Sequence, residues 1–222
     1  MKTNPSPNRE QGLTLVELFV VIVVIAVFAI MVTDLSATPR AKTRALRIQC
    51  VNNLKQTGLA FDVWERDQGN KFPMSVSKTN GGSMEFATGP DLWRHFQVAS
   101  NELSTPKFLI CPSDETRIAA TNFTFLRNSN ISFFVGLDAN ETNPQLILSG
   151  DRNLTNGWPT KNGILEVSSN QPAGWTAEMH NKVGNIALSD GSVQQVSITG
   201  LRSAIENTGL ATNRLQMPVL GP

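Results

Sequence analysis

Gly12-Leu13-Thr14-Leu15-Val16-Glu17 runs straight into LFVVIVVIAVFAIMV, Leu18 to Val32, and this junction decides how the rest of the chain is read. The fifteen residues from Leu18 to Val32 carry no charge and no polar group. As a helix, Leu13 to Val32 would extend roughly 30 Å, the thickness of a bilayer's hydrocarbon core. A secretory signal peptide has a shorter apolar region, of about 7–15 residues, followed by a small-x-small cleavage site. Ser36-Ala37-Thr38-Pro39 imitates such a site, but the apolar stretch is long and contains a carboxylate. A plain transmembrane anchor fits the length and leaves Glu17 unexplained. A carboxylate in an apolar layer costs a few kcal/mol and usually has a partner. The segment has no basic residue, and the next charge, Asp34, is also acidic. Glu17 is therefore either hydrated at headgroup level or paired with a group from elsewhere.

The block Gly12-Leu13-Thr14-Leu15-Val16-Glu17, behind a polar stretch with Lys2 and Arg9, resembles the prepilin processing site of the type IV pilin and type II secretion pseudopilin superfamily. Leu13 stands where that pattern commonly has Phe. The resemblance implies cleavage between Gly12 and Leu13 by a prepilin peptidase, N-methylation of Leu13, and assembly through Glu17, whose carboxylate would neutralise the Leu13 amine of a neighbouring subunit. Opposite charges in an apolar bundle need each other. Removing residues 1–12 would leave 17 basic and 17 acidic residues. The basic leader, with no Lys or Arg between it and Arg40, favours leader-inside orientation.

The implied layout is α+β and pilin-like: a leader, 1–12; a long N-terminal helix, 13–64, transmembrane over 13–32 and kinked or broken at Pro39; and a β-rich head, 65–222. Ile48, Val51, Leu54, Gly58 and Phe61 recur at helical spacing and predict the stripe that packs on the head. Cys50-Val-Asn52-Asn53-Leu54-Lys55-Gln56, Phe72-Pro73, Cys111-Pro112-Ser113-Asp114, and His180 followed by Asp190-Gly191 resemble, in order, the signatures of a bacterial pseudopilin-like group.

In the head, Asp91 is expected to cap a short helix reaching Leu103. Strands are expected at Phe108–Cys111, Phe123–Phe125, Ile131–Val135, Gln145–Asp151 and Gly163–Val167. A hairpin joins Asn185–Leu188 to Ser192–Ile198 through a two-residue Asp190-Gly191 turn, with a bulge near the out-of-phase Val193. Leu201–Asn207 reads as a last helix, ended by Gly209. His180 is expected to fix the approach to the hairpin, bonding to loop backbone or to Asp190.

Nineteen basic against 18 acidic residues exclude the basic excess of a general nucleic-acid binder. His95 and His180 are the only histidines, and no nucleotide-binding or hydrolase motif is present, so no catalytic residue is expected. Cys50 and Cys111 pair as a disulfide if the head lies in an oxidising compartment, and are two buried thiols otherwise. Asp138, Asp151 and Asp190 are candidate calcium ligands without a tight acidic cluster, or turn caps; no cofactor or metal is expected. Asn122, Asn130, Asn140 and Asn153 match the glycosylation triplet and are read as loop chemistry; Trp64, Trp93, Trp158 and Trp175 are read as packing.

The expected function is that of a pseudopilin or pilin-like structural subunit in a bacterial inner membrane, single-pass, with its head periplasmic or extracellular. Its partners by resemblance are copies of itself, other pseudopilins, the prepilin peptidase and the assembly platform of the secretion system. The alternative is a membrane-anchored binding module that displays its head without forming a filament.

Overall fold

The computed structural model describes residues 14–33, 39–171 and 173–220, with residues 31–33, 39 and 40 described by backbone alone. The chain divides into two compact units, Met1–Lys42 and Thr43–Pro222.

The first unit contains α1, Leu15–Thr33. Its start is a reciprocal capping box. Thr14 N donates to Glu17 Oε2 at 2.8 Å, and Glu17 N donates to Thr14 Oγ1 at 3.3 Å. Two amides that the first turn leaves without helical partners are thereby satisfied. The described side chains from Leu15 to Ala29 are all exposed. Among the described residues no helix is long and apolar enough to cross a membrane. The 19 residues of α1 measure about 28 Å at 1.5 Å each. The expected span, 13–32, begins outside the described residues, as do the expected leader and its cleavage site at Gly12 and Leu13.

Two helical segments are described over the expected helix, α1 and, over Pro39–Asp67, α2. Residues 34–38 lie outside the described residues. Proline suits the first helical position, where its missing N–H has no partner to lose. From Thr43 onward α2 falls within the second unit, with the rest of the head. The packed face contains Leu54, Gly58 and Phe61 of the expected stripe and departs from it at Ile48. Ile48 is 56 % exposed, whereas Cys50, Leu54, Thr57 and Phe61 are fully buried and Trp64 nearly so. The face is centred on Cys50–Leu54–Phe61, rotated from a stripe drawn through apolar residues alone.

Beyond α2 come short 3-10 turns at Pro73–Ser75, Lys78–Asn80 and Met84–Phe86, then α3, Trp93–Val98, and α4, Ser100–Leu103. Leu92, not Asp91, holds the cap position of α3, without a side-chain hydrogen bond. The strands expected at Phe108–Cys111 and Phe123–Phe125 are 3-10 turns at Pro106–Leu109 and Phe123–Phe125. Thr105 and Asn122 side chains cap them, a local bonding option that apolar triplets alone do not reveal.

The strands are β1, Phe133–Gly136; β2, Ile147–Asp151; β3, Leu154–Thr155; β4, Ile164–Val167; β5, Gly174–Trp175; β6, Val183–Leu188; β7, Val193–Ser197; and, after α5 at Ile198–Asn207, β8, Asn213–Gln216. Six form an antiparallel sheet in the order β4-β8-β1-β2-β6-β7, and β3 and β5 pair separately. Side chains alternate between two cores. Phe133, Val135, Leu148 and Ala187 face the core that holds Leu54, Phe61 and Phe96 of the helices. Phe134, Ile147, Ile186 and Leu188 face the one that holds Leu201 and Ile205 of α5.

The β6–β7 hairpin forms, with a different turn. Leu188 N donates to Ser192 O and Gly191 N to Leu188 O, leaving three loop residues with only Gly191 at positive φ, 77°. This is a type I turn closed by a glycine bulge. The extra residue sits in the turn, so Val193 pairs in regular register with Ala187 and shares its face. The bulge expected at Val193 is absent from this pair.

His95 fastens the 3-10 segment to β8. Its Nδ1 lies 2.7 Å from Ser83 Oγ and its Nε2 2.6 Å from Gln216 Oε1, while Gln216 Nε2 donates to Phe86 O and Gly89 O. That network assigns the proton to Nε2. Burial lowers the imidazole from 6.5 to about 4, against the smaller opposing effect of Gln216. The folded pKa is below the unfolded one, so this contribution is complete above pH 6.5 and is lost as pH falls from 6.5 towards 4. The loss is about 3 kcal/mol for a shift of this size. Urea unfolding of the full chain in detergent should show declining stability across that window, and a flatter decline in His95→Gln. Identical slopes in the two proteins would refute the assignment.

Candidate functional site

Four buried side chains from four separate segments meet inside the head. Cys50 comes from the packed face of α2 and Cys111 lies two residues beyond the 3-10 turn Pro106–Leu109. Asp151 is the last residue of β2, and His180 lies in the loop before β6. Their ligating atoms all lie within 4.8 Å of one another. Cys50 and Cys111 are joined as a disulfide, with Cα atoms 4.6 Å apart across 61 residues of sequence. A closure of that length contributes about 4 kcal/mol in the loop-entropy account.

His180 Nε2 points into the cluster, 3.2 Å from Cys111 Sγ, 3.3 Å from Cys50 Sγ and 3.5 Å from Asp151 Oδ2. The carboxylate beside His180 is thus Asp151. Asp190 instead accepts from Ser192 N within the hairpin turn. The ring's other nitrogen, Nδ1, is buried without a hydrogen-bond partner. Burial, then the Arg47 charge, pull the imidazole from 6.5 to about 4, so it is neutral near pH 7. Asp151 is fully buried. Asn185 donates to its Oδ2 from both N and Nδ2, at 2.7 and 2.8 Å, yet desolvation still raises the carboxyl to about 7.

The backbone around His180 is unusual. Met179, Asn181 and Lys182 all adopt positive φ, between 53° and 64°. Such conformations cost of order 1–3 kcal/mol each and persist where surrounding structure enforces them. Here the Asn153 side chain donates to the carbonyls of Thr176, Glu178 and Val183, and Arg47 donates to the carbonyl of His180.

Beside the cluster, Arg152 forks onto Asp114: Nε donates to Oδ2 at 2.7 Å and Nη2 to Oδ1 at 2.9 Å. Arg152 also pairs with Glu178 at 2.9 Å. The Cys111-Pro112-Ser113-Asp114 block is thereby tied to the end of β2.

The calcium candidates do not form one site. Asp138 pairs with Arg214, Asp151 belongs to the buried cluster, and Asp190 caps a turn. All four glycosylation-like asparagines serve loop backbone, Asn122 and Asn140 by accepting from nearby amides, Asn130 and Asn153 by donating to carbonyls. Trp64, Trp93 and Trp175 are buried, but Trp158 is 72 % exposed, beside an open groove lined by Asn156, Lys161, Glu166 and Gln171. The sequence nominated Cys50, Cys111 and His180 and weighed Asp151 apart from them. No spacing rule links four residues that tertiary folding alone brings together.

At the other end of the chain, Glu17 is held by Thr14 at the head of α1, and Gly12 and Leu13 lie outside the described residues. Residues 7–33 match the family model described as Prokaryotic N-terminal methylation motif. No curated protein and no solved structure matches the chain. The motif marks a pilin-like N-terminus of the kind that prepilin peptidase processes, and the layout behind it, helix then antiparallel head, is the pilin-like α+β arrangement.

Proposed function

We propose that this chain is a structural subunit of a pseudopilus or related filament, of the type II secretion or type IV pilus class. It is inserted once in the bacterial inner membrane, cleaved after Gly12, methylated at Leu13 and added to a filament through α1. The observation that carries this reading is the methylation motif opening onto a helix whose described side chains, Leu15 to Ala29, are apolar apart from Glu17 and all exposed. Such a surface needs lipid or other helices to cover it. Its partners are further copies, other pseudopilins, the peptidase and an assembly platform. The head is periplasmic or extracellular and catalyses nothing.

N-terminal sequencing of the protein extracted from membranes should begin at Leu13, with the residue N-methylated. An intact Met1, or cleavage near Ala37, would reject the reading.

Trp158 and its groove favour a second reading, an anchored module that displays its head to bind a ligand. An exposed ring beside amides and charged groups is a stacking platform. Cysteines introduced along α1 separate the two. Cross-links between copies at a fixed register support the filament; none, with the head bound to a ligand, supports the module.

A further inference from the structure

We infer that Cys50, Cys111, Asp151 and His180 form a zinc site, occupied when both cysteines are thiolates. The argument begins with what a disulfide leaves undone. A disulfide sulfur has no proton, so Cys50 Sγ, 3.5 Å from Asp151 Oδ1, has nothing to donate to it. His180 Nε2 has only two disulfide sulfurs, which are weak acceptors, and a carboxylate oxygen 3.5 Å away, and its Nδ1 has no partner among the described residues. Buried polar groups with poor partners are costly, and this fold sets Asp151 Oδ1 and His180 Nε2 against disulfide sulfurs in one place. It also holds His180 there through three neighbouring residues at positive φ.

A metal ion engages Nε2, the Asp151 carboxylate and both sulfurs together, and leaves Nδ1 as it is. Zinc takes thiolate at about 2.3 Å, imidazole nitrogen at about 2.0–2.1 Å and carboxylate oxygen at about 2.0–2.2 Å, in a tetrahedron whose ligand atoms are roughly 3.3–3.8 Å apart. Of the five edges other than the bond between the sulfurs, four already measure 3.2, 3.3, 3.5 and 3.5 Å, the last two to different oxygens of Asp151, and all the ligating atoms lie within 4.8 Å of one another. The two sulfurs must separate, through side-chain rotation, and one Asp151 oxygen must turn to the ion. Two thiolates, a carboxylate and a neutral imidazole select a thiophilic ion over calcium, which wants six to eight oxygens. They exceed the ion's charge by one negative unit, and the Arg47 guanidinium lies against the His180 carbonyl to offset it. Asn185 supplies the outer hydrogen bonds that orient the Asp151 carboxylate. Zinc then binds with loss of the two thiol protons to solvent and no change of oxidation state.

The test uses the full chain in detergent. A phosphine reductant with water converts the disulfide to two thiols and is itself oxidised to the phosphine oxide. Under anaerobic conditions the reduced protein is titrated with cobalt(II) as a spectroscopic stand-in, then with zinc. The expected result is one cobalt per chain, with thiolate-to-cobalt charge-transfer bands and the visible bands of a tetrahedral site, displaced by zinc. The unreduced protein should show none. Cys111→Ser and His180→Ala should lose at least tenfold in affinity, with circular dichroism checking their fold. Reduced wild-type protein without thiolate–cobalt bands would overturn the site. So would equal binding by the reduced wild type and both variants, which means adventitious metal only.

Discussion

Asp114→Ala should lower the stability of the head by about 3–5 kcal/mol, because it strands Arg152 in a mostly buried position. The Asp114 side chain is 1 % exposed and that of Arg152 14 %, and the guanidinium makes two parallel bonds to the carboxylate. Such a fork is among the stronger charged contacts, and removing one side leaves the other desolvated. Glu178 is the remaining counter-charge, and it is itself 59 % exposed. In a domain this size the melting temperature should fall by roughly 6–20 °C. Thermal unfolding of the full chain in detergent reads this directly. Replacing both partners, Asp114→Leu with Arg152→Met, should recover most of the loss, since an apolar pair leaves no buried charge behind. A single variant as stable as the wild type would show the pair to be dispensable. The pH dependence is separable from that of His95. Burial pushes the Asp114 carboxyl up, but the bonds from Arg152 and Thr116 outweigh it, and the net shift is downward. Its contribution is present above the ordinary carboxylate range and lost only as pH falls through the lowered value, below the window in which His95 acts.

The layout was legible in the sequence because its strongest signals are local. An apolar run behind Gly12-Leu13-Thr14-Leu15-Val16-Glu17 signals α1, and Asp190-Gly191 between alternating apolar residues specifies a hairpin. β8 was not legible. Asn213-Arg214-Leu215-Gln216 has one apolar residue, yet it lies between β4 and β1 with Asn213, Leu215 and Gln216 buried. Its polar side chains are there for specific partners, Gln216 for His95 and two loop carbonyls, and periodicity does not see hydrogen bonds. The α2 stripe held at Leu54, Gly58 and Phe61 and missed at Ile48 for a related reason. The buried face includes Cys50 and Thr57, and Thr57 satisfies itself by donating to Asn53 O and Phe108 O. A hydroxyl that is fully bonded packs as core, so an apolar count draws the face around Ile48 instead. The buried cluster shows the limit most clearly. The motif blocks supplied Cys50, Cys111 and His180, but the motif's own carboxylate, Asp190, caps an exposed turn. The carboxylate that completes the set, Asp151, comes from the end of an ordinary strand.

Glu17→Val should leave membrane insertion intact and abolish subunit addition, but that result alone would not establish a charge pairing. The structure gives Glu17 a second role, as one half of the capping box at the start of α1. Losing a cap costs about 1 kcal/mol of helix stability. Within a membrane or a helical bundle, packing holds the helix far more firmly than that, so fraying of one turn is a small effect. An unpaired Leu13 amine in an apolar filament core is a large one, several kcal/mol for a buried charge without its partner. Glu17→Gln distinguishes the two, because glutamine keeps an oxygen to accept from Thr14 N and removes the charge. If pairing with a neighbouring Leu13 amine drives assembly, Glu17→Gln and Glu17→Val should both be processed at Gly12 and both fail to enter filaments, as read by sedimentation of sheared assemblies. If the cap is what matters, Glu17→Gln should assemble like the wild type and only Glu17→Val should fail, and the proposed pairing would be wrong. Three residues separate Leu13 from Glu17 in the sequence, and Thr14 already draws the carboxylate back over the first turn. In a filament the carboxylate must therefore give up or share its bond to Thr14 to reach a neighbour's amine. Thr14→Val, which weakens that hold and leaves the charge, should assemble at least as well as the wild type.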